Sequence, residues 1–319
     1  MTVIEYRHPT TADVEKIVDV INRAGRELPL HDYVSKEEIE TTLFKDNHFD
    51  AKDSCCLAVI HDQFVGCGIV FAEKSRIKAG KNDADITIEV VPEHRDEGIQ
   101  RALMHSALEF LRSVKIHDAK HLCAGTTGWK HDLSHEFGFR DDHHGYTLIC
   151  RVGKEPRASL PPDGIHLEHM MFKEASDEDI LDLTNVYNNF YSDILNFAPE
   201  LVESWIEYRD ELRENVERIT FAKEGARIVG ACSCEEWTGL NRQEGVRAGF
   251  VSTVGVIKPY RRKGIGRALL SDAVKWLHER GMDTAYLRVD ARNPDALRLY
   301  TSSGFEIFRE SVVYHLALE

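Results

Sequence analysis

The stretch VGVIKPYRRKGIGRALL, residues 254–270, decides the fold of this chain. It begins as an apolar strand, turns at Gly264 and Gly266, and continues into an amphipathic helix that the pattern predicts over residues 266–280. Glycine lets the backbone of a turn approach a ligand closely, and the free N–H groups at the start of a helix attract anions. The stretch therefore predicts a site for a phosphate or pyrophosphate.

Three cations, Arg261, Arg262 and Lys263, precede these glycines in a chain whose net charge is −14. Their concentration favours an anion site, although a solvated basic turn ahead of an amphipathic helix would look the same on these residues alone. A dinucleotide site of the Rossmann type would need Gly-x-Gly-x-x-Gly and an acidic residue about twenty positions later. The glycine spacing does not fit that alternative.

The same pattern occurs twice at a constant offset of 166 residues. VPEHRDEGIQRALM, starting at Val91, aligns with IKPYRRKGIGRALL, starting at Ile257, and Asp13 aligns with Asp179 at the start of a predicted helix. A repeat of this length indicates two copies of one structural unit.

A segment rich in proline and glycine, residues 153–164, separates the copies and reads as a linker. The predicted domains are therefore 1–152 and 165–319. Each copy begins with a strand and a helix, continues with antiparallel hairpins, and ends with the glycine turn and further helices and strands. Besides the helix at 266–280, the elements predicted with bounds are helices at 11–24, 177–191 and 294–302 and strands at 284–289 and 312–318. This order predicts an α/β fold with a mixed sheet, made twice.

The composition is that of a globular protein, with 42% hydrophobic and 29% charged residues. The acidic excess is shared by both halves, which disfavours binding to nucleic acid or to an anionic membrane surface. Since the N-terminus carries no apolar signal-peptide core, we expect a cytosolic protein. The seven cysteines are expected to be structural thiols rather than metal or redox sites.

A second motif, NPDALRLYTSSGF at residues 293–305, places an amide at the end of a strand and a tyrosine on the helix that follows. Together with residues 254–270 it resembles the GNAT family of N-acetyltransferases. The resemblance covers 165–319 in motif order and, more weakly, 1–152. The layout of the whole chain is similar to that of the tandem mycothiol synthase group of that family.

The resemblance implies that acetyl-CoA lies along one strand, with its pyrophosphate on the glycine turn and its pantetheine arm reaching an asparagine. No metal is implied. The residues that it assigns to cofactor binding are Val254, Gly255, Val256, Arg261, Arg262, Lys263, Gly264, Ile265, Gly266, Arg267 and Asn293.

Family members transfer the acetyl group directly to an amine, and the resemblance assigns Tyr300 to the leaving thiolate. A phenol is protonated at neutral pH, so Tyr300 can donate a proton or a hydrogen bond; the alternative is an ordinary half-buried aromatic. The strand that carries a glutamate base in many relatives has no acid here. Glu235, Glu236 or a water held by Ser252 remain as candidates for the base.

The N-terminal copy departs from the motifs where chemistry would be carried. Gln100 replaces the second glycine, Thr127 and Ser134 replace Asn293 and Tyr300, and Asp96 and Glu97 oppose a pyrophosphate. This copy is expected to be structural or acceptor-binding.

Twelve of the 16 histidines lie in the N-terminal copy, where His131 and His135 form an i, i+4 pair. Without a third ligand we expect surface histidines rather than a metal site.

The expected function is acetyl-CoA-dependent acetylation of a small cationic amine, or of a lysine or N-terminal amine, by the C-terminal copy. Two alternatives stay open: a CoA-binding sensor without turnover, and an acyltransferase that uses a hydroxyl acceptor or another acyl group. The acceptor pocket is expected in the loops at 28–35 and 192–205, with the carboxylates Asp193, Glu200 and Glu203 nearby. Oligomeric state has no signal in the sequence.

Overall fold

The computed structural model describes residues 3–28, 33–152, 159–193, 197–211 and 216–318. Contacts divide the chain into two compact units. Unit 1 comprises Met1–His144 with Glu310–Glu319, and unit 2 comprises Gly145–Arg309.

In unit 1 strands β1 to β5, with bounds given below, and β12 (Glu306–Ala317) lie in the order β1-β2-β3-β4-β5-β12, and among these described strands only the β4 and β5 pair is parallel. In chain order the elements are β1 (Glu5–Arg7), α1 (Val14–Gly25), α2 (Lys36–Glu40), α3 (Ala51–Ser54), β2 (Cys55–Ile60), β3 (Gln63–Phe71), α4 (Lys74–Lys78), β4 (Asp83–Val90), α5 (Ile99–Ser113), β5 (Asp118–Ala124) and α6 (Trp129–Glu136).

In unit 2 strands β7 to β11, with bounds given below, and β6 (Arg140–Arg151) lie in the order β7-β8-β9-β10-β11-β6, and again one pair, β10 with β11, is parallel. The elements are β7 (Ile165–Met171), α7 (Asp177–Tyr191), α8 (Val202–Glu211), β8 (Glu217–Glu224), β9 (Arg227–Glu236), α9 (Thr238–Glu244), β10 (Ala248–Val256), α10 (Ile265–Glu279), β11 (Thr284–Asp290) and α11 (Pro294–Ser302). The mixed α/β fold expected from the sequence is confirmed in both units.

Two long strands cross from one unit to the other. Strand β6 (Arg140–Arg151) runs into unit 2, where its residues from Gly145 pair antiparallel with β11. Strand β12 (Glu306–Ala317) runs into unit 1, where its residues from Ser311 pair antiparallel with β5. Each sheet is therefore completed by the last strand of the other sequence repeat. The contact-based units differ from the predicted limits 1–152 and 165–319 because strand pairing does not follow chain order.

The segment 153–164, predicted as a linker, begins two residues after β6. Residues 153–158 lie outside the described residues, and the rest of the segment precedes β7. The domain limits 1–152 and 165–319 thus stay a prediction about the sequence repeat.

The parallel strands separate before they end. In unit 2 the pairing of β10 with β11 covers Ala248–Val251, whereas β10 continues to Val256 and stays paired with β9 on its other edge. In unit 1 the pairing of β4 with β5 covers Asp83–Ile86, and β4 continues to Val90. A gap therefore opens between the two parallel strands of each unit. The backbone groups on one edge of the second half of β4 and of β10 border that gap.

Helices cover both faces of the sheet in unit 2. Helix α7 begins at the capping box that the sequence predicts, in which the Ser176 Oγ accepts from Asp179 N and the Asp179 carboxylate accepts from Ser176 N. Helix α10 packs its apolar side, including Leu269 and Leu277, against the opposite face. Helix α8 packs against α7, and we call the face that these two helices cover the helix-pair face. The gap beside β10 therefore lies between the helix pair on one face and α10 on the other.

Candidate functional site

The glycine turn at the start of α10 has the form that anion binding requires. Gly264 is the N-cap of α10 with φ of 92°, in the left-handed region that favours glycine, and a Cβ there would meet no atom within 4 Å. A Cβ on Gly266 would lie 3.3 Å from Leu299 and 3.8 Å from Val256, so this glycine keeps space open beside the end of β10. Ile265 between them is buried and anchors the helix.

The exposed cations predicted for this site surround the turn. An Arg262 guanidinium nitrogen lies 3.1 Å from the Asp295 carboxylate, the Lys263 ammonium lies 4.8 Å from the centre of the Tyr260 ring, and Arg267 donates to the Ser302 Oγ at 3.1 Å. Arg262 and Lys263 are solvent-exposed, so an incoming anion can compete for them.

Arg261 has a different position from the one expected for a phosphate ligand. Its guanidinium donates to the Val256 carbonyl at 3.0 Å, to the Phe190 carbonyl at 2.9 Å and to the Asp193 carboxylate at 2.7 Å. These bonds tie the end of α7 to the end of β10. Arg261 is thus engaged by the protein itself.

Unit 1 repeats this arrangement at the 166-residue offset. Arg95 donates to the Val90 carbonyl at 3.1 Å, to the Ala24 carbonyl at 2.9 Å and to the Glu27 carboxylate at 2.5 Å. Because unit 1 keeps these bonds while Gln100, Thr127 and Ser134 replace other motif residues, the arginine serves the fold of the repeat.

The last residues of β10 are shaped by α7. A Cβ on Gly255 would lie 1.9 Å from the Phe190 ring, so only glycine fits where that ring packs against the strand. Val254, Gly255 and Val256 lie beyond the end of the β11 pairing, so their backbone borders the gap. Across the gap, Asn293 caps α11 by accepting from Ala296 N at 3.0 Å.

Tyr300 on α11 is buried, with 8% of its surface exposed, and packs against Phe305. Burial raises the pKa of the Tyr300 phenol above its ordinary value, and the neighbouring Cys232 thiol adds to that shift. Its hydroxyl therefore stays protonated at neutral pH and can act as a donor.

A second tyrosine near this position was missed by the sequence analysis. Tyr191 ends α7, its hydroxyl bonds to Thr253 on β10, and burial together with Tyr187 and Tyr300 raises its pKa. Its position as the last residue of the predicted helix was visible, but a tyrosine there has no spacing signal of its own.

The two carboxylates proposed as bases lie on opposite faces of the sheet. Glu236 is held by the Arg280 guanidinium at 2.5 Å, at the end of α10. Glu235 is directly opposite Glu217 in the β8 and β9 register, and directly opposed side chains of an antiparallel pair share a face. Glu217 contacts Tyr208 of α8, which places both carboxylates on the helix-pair face.

Glu217 is the buried carboxylate that the sequence analysis missed. It lies at the start of β8, 9% exposed, and accepts a hydrogen bond from the Ser233 Oγ at 2.5 Å. Burial raises its pKa, although the bonds from Ser233 and Tyr208 act in the opposite direction. A charged residue that begins the apolar run ERITFA was the only available signal.

In unit 1 the corresponding space is filled by other side chains. Lys130 on α6 donates to Glu89 on β4, and these two residues stand at the positions of Ala296 and Gly255. Gln100 stands at the position of Gly266, and its buried side-chain oxygen has no hydrogen-bond partner among the described residues. Ser134, at the position of Tyr300, is buried and donates to the Lys130 carbonyl.

The expectation that His131 and His135 are surface histidines was wrong for His131. His131 is buried, and its Nδ1 lies 3.0 Å from the Tyr314 hydroxyl, because β12 completes the unit 1 sheet beside α6. Among the described residues no group of histidine, cysteine and carboxylate side chains is arranged to hold a metal ion. All seven cysteines are free thiols, and most are buried.

Comparison with known proteins identifies the family. A model of the acetyltransferase (GNAT) family matches residues 20–151 and 180–305. The chain belongs to the GNAT family. It has two tandem domains of this kind, and the resemblance drawn from its two motifs is confirmed.

Relatives of this GNAT protein include mycothiol acetyltransferases. That of Streptomyces bingchenggensis is 37% identical over 93 residues, which cover 29% of this chain and 28% of that protein. That of Catenulispora acidiphila is 25% identical over 260 residues, which cover 78% and 76%. A tandem GNAT protein from the clavulanic acid biosynthesis pathway, 15% identical, superposes with a TM-score of 0.77 over 99% of this chain and 98% of its own. This last likeness shows the fold alone.

Within the described ranges, no helix of the GNAT protein has the length and apolar character needed to cross a membrane. The cytosolic location expected from the sequence stays a prediction.

Proposed function

We propose that unit 2 transfers the acetyl group of acetyl-CoA directly to a primary amine. The observation that carries this proposal is the open edge of β10, which runs from Ser252 to Val256 and leads into the glycine turn at Gly264. Exposed N–H groups at a helix start, with cations beside them, suit a pyrophosphate. Tyr300 lies in the same core as the end of β10, as the transfer requires.

Acetyl-CoA fits the residues present. The open space over Gly264 admits a phosphate to the backbone N–H groups, and Arg262, Lys263 and Arg267 supply charge around it. Bound acetyl-CoA would supply a thioester whose carbonyl carbon accepts the amine. Backbone groups of Val254, Gly255 and Val256 and the side chain of Asn293 would hold the pantetheine arm. Arg261 is left out of this set because its guanidinium is already bonded.

Tyr300 is proposed to donate to the leaving sulfur. A buried phenol with a raised pKa loses its proton less readily than an exposed one, so donation of a hydrogen bond is favoured over complete proton transfer. The amine itself must lose a proton before it attacks, which costs on the order of 4 to 5 kcal/mol at pH 7 for a lysine-like pKa of about 10.4.

The acceptor is proposed to be cationic: a small amine, a lysine or a peptide N-terminus. The acidic balance of the chain and the exposed Glu203 on α8 support this choice, while Asp193 is engaged by Arg261. Part of the predicted acceptor loop, residues 194–196, lies outside the described residues, as do residues 29–32 of the corresponding loop in unit 1.

The test is release of free CoA thiol from acetyl-CoA with a panel of small amines, a lysine peptide, a free N-terminal peptide and hydroxyl analogues, with products identified by mass spectrometry. Acetylated amine, with rates that fall as ionic strength rises, is the expected result. Binding of acetyl-CoA without turnover would favour a sensor. Transfer only to hydroxyls, or only from a longer acyl-CoA, would favour the other acyltransferase alternative.

A further inference from the structure

A chain of three oxygen-bearing side chains crosses the sheet of unit 2. Glu217 on β8 accepts from the Ser233 Oγ of β9 at 2.5 Å, and the Ser233 Oγ lies 2.6 Å from the Ser252 Oγ of β10. Glu217 and Ser233 are buried, whereas Ser252 is exposed. The chain therefore links a buried carboxylate to the surface through two hydroxyls.

The exposed end of this chain lies at the gap in the sheet. The register of β9 and β10 shifts between Val251 and Thr253, so Ser252 is the bulged residue. Bulges re-aim a side chain and interrupt pairing, and pairing of β10 with β11 ends at Val251. Ser252 thus stands two residues before Val254, where the proposed acetyl-CoA strand begins.

The buried end has the properties of a proton acceptor. Among the described residues Glu217 forms no ion pair, and its partners are the hydroxyls of Ser233 and Tyr208, the latter at 3.3 Å. Burial of a carboxylate without a cation disfavours its charged form. Burial accordingly raises the pKa of Glu217, which brings it closer to the neutral range where a general base works best.

We infer that Ser252, Ser233 and Glu217 form a proton relay that takes a proton from the acceptor amine. This inference rests on the proposed function. Ser252 would contact the acceptor, while Ser233 and Glu217 are positioning residues that act through it.

The step balances with no further reactant. The acceptor ammonium passes one proton to the Ser252 Oγ while Ser252 passes its own to Ser233 and Ser233 passes its own to the Glu217 carboxylate. The freed amine forms a bond to the acetyl carbon, the C–S bond breaks with its electron pair on sulfur, and a second nitrogen proton ends on that sulfur. The products are the amide, the free thiol of CoA and a protonated Glu217.

Three groups in the described part of the chain face Glu217: Ser233 and Glu235 from β9, and Tyr208 from α8. The next residue along β8, Arg218, lies on the other face of the sheet, where its guanidinium pairs with the Asp272 carboxylate of α10. Glu235 is the rival base, because it shares the face and the register of Glu217.

The test compares Glu217→Gln with Glu168→Gln, a glutamate on the neighbouring β7 whose carboxylate is paired with Lys223 at the surface. Glutamine keeps an oxygen that accepts from Ser233 but cannot take up a proton. With acetyl-CoA and the amine best used in the panel, Glu217→Gln is expected to lower kcat/KM on the order of 100-fold at pH 7. Acetyl-CoA affinity by calorimetry should not change, and Glu168→Gln should match the wild type.

The pH profile separates a relay from a structural role. The deficit of Glu217→Gln should shrink as pH approaches the pKa of the amine, and it should vanish with trifluoroethylamine, a weakly basic amine that is neutral at pH 7. Ser252→Ala, a surface change that leaves the core intact, should show the same deficit, and Ser252→Thr should restore activity.

Three outcomes would overturn the relay. Amine turnover with an unchanged pH profile in both Glu217→Gln and Ser252→Ala would leave the proposed function standing and remove the relay. The same profile change in Glu235→Gln alone would assign the base to Glu235. A wild-type protein that binds acetyl-CoA but acetylates none of the amines would remove the proposed function and the relay with it.

Discussion

Tyr300 and Ser134 occupy equivalent positions in the two repeats, but their surroundings give them different chemistry. The Tyr300 phenol is kept protonated by burial beside the end of β10. The Ser134 hydroxyl is fully buried between His121 and the Lys130 carbonyl, at 2.8 Å from each. A serine used in this way supports α6 and has no route to a bound thioester.

We predict that Tyr300→Phe lowers kcat on the order of 100-fold, because it removes the hydroxyl that is proposed to donate to the leaving sulfur. The affinity for acetyl-CoA should change little, since the ring is kept. Ser134→Ala should leave turnover within about a factor of three. Steady-state kinetics and calorimetry on both variants measure this, and equal loss in the two variants would mean that the active unit is assigned wrongly.

His121 makes the stability of unit 1 depend on pH. Burial lowers the pKa of its imidazole from 6.5 to about 3, with smaller contributions from Lys130 and His131. The unfolded chain therefore binds a proton at a higher pH than the folded unit. The stabilisation is complete above about pH 6.5 and is lost as pH falls toward 3, by up to about 5 kcal/mol.

Hydrogen exchange of peptides from α5 and β5 between pH 7 and pH 4 measures this loss. His121→Asn, whose amide can still donate to the Ser134 Oγ, should flatten the slope even if it lowers overall stability. His105→Gln, on the exposed face of α5, should leave the slope unchanged. An equally steep slope in His121→Asn would show that another group controls the acid response.

At the scale of elements, local signals were sufficient for helices and insufficient for strand partners. Helix α7 has the predicted bounds because a capping box starts it, and α11 has the predicted bounds because Asn293 and Pro294 fix its start and Gly304 follows its end. Strand β12 begins at Glu306, six residues before the predicted start at Val312. Charged and polar residues in its first half obscure the alternating apolar pattern that predicts a strand. Which sheet it joins depends on distant contacts that no spacing encodes.

For the candidate site, the motifs predict in which elements its residues lie, and the roles assigned to those residues stay predictions. The glycine turn and Tyr300 lie where the motifs place them, because short motifs carry their own geometry. The surroundings of Arg261 and Glu217 could not be predicted from sequence, since the first is bonded to backbone carbonyls of α7 and β10 and the second is linked by hydrogen bonds across three strands.

The turn before α10 supplies a prediction at this scale. Gly264→Glu should abolish acetyl-CoA binding, because it places a carboxylate where an anion would meet the helix start and forces a side chain into the left-handed region. Gly98→Glu is the matched control, since Gly98 caps α5 in unit 1 with φ of 79°. It carries the same strain but should leave affinity unchanged. Calorimetric binding by a folded Gly264→Glu protein would contradict the site.

For the whole molecule the two units are unequal. In unit 1 the paired side chains of Glu89 and Lys130, together with Gln100, stand where unit 2 has small residues. We predict that calorimetric titration finds one tight acetyl-CoA site per chain. Gly264→Glu should then remove all tight binding. Two sites of equal affinity, or tight binding that survives in Gly264→Glu, would show that unit 1 also binds the cofactor.

The crossing of β12 into unit 1 has a consequence for the order in which the protein folds during synthesis. Unit 1 cannot pair β5 with residues from Ser311 onward until all of unit 2 has left the ribosome. Contacts between residues so far apart in the chain are slow to form because a very long loop must close first. Unit 2, whose residues 145–309 are continuous, can complete its sheet earlier. The half that is translated first is therefore expected to be the half that matures last, with an exposed edge on β5 in the interval.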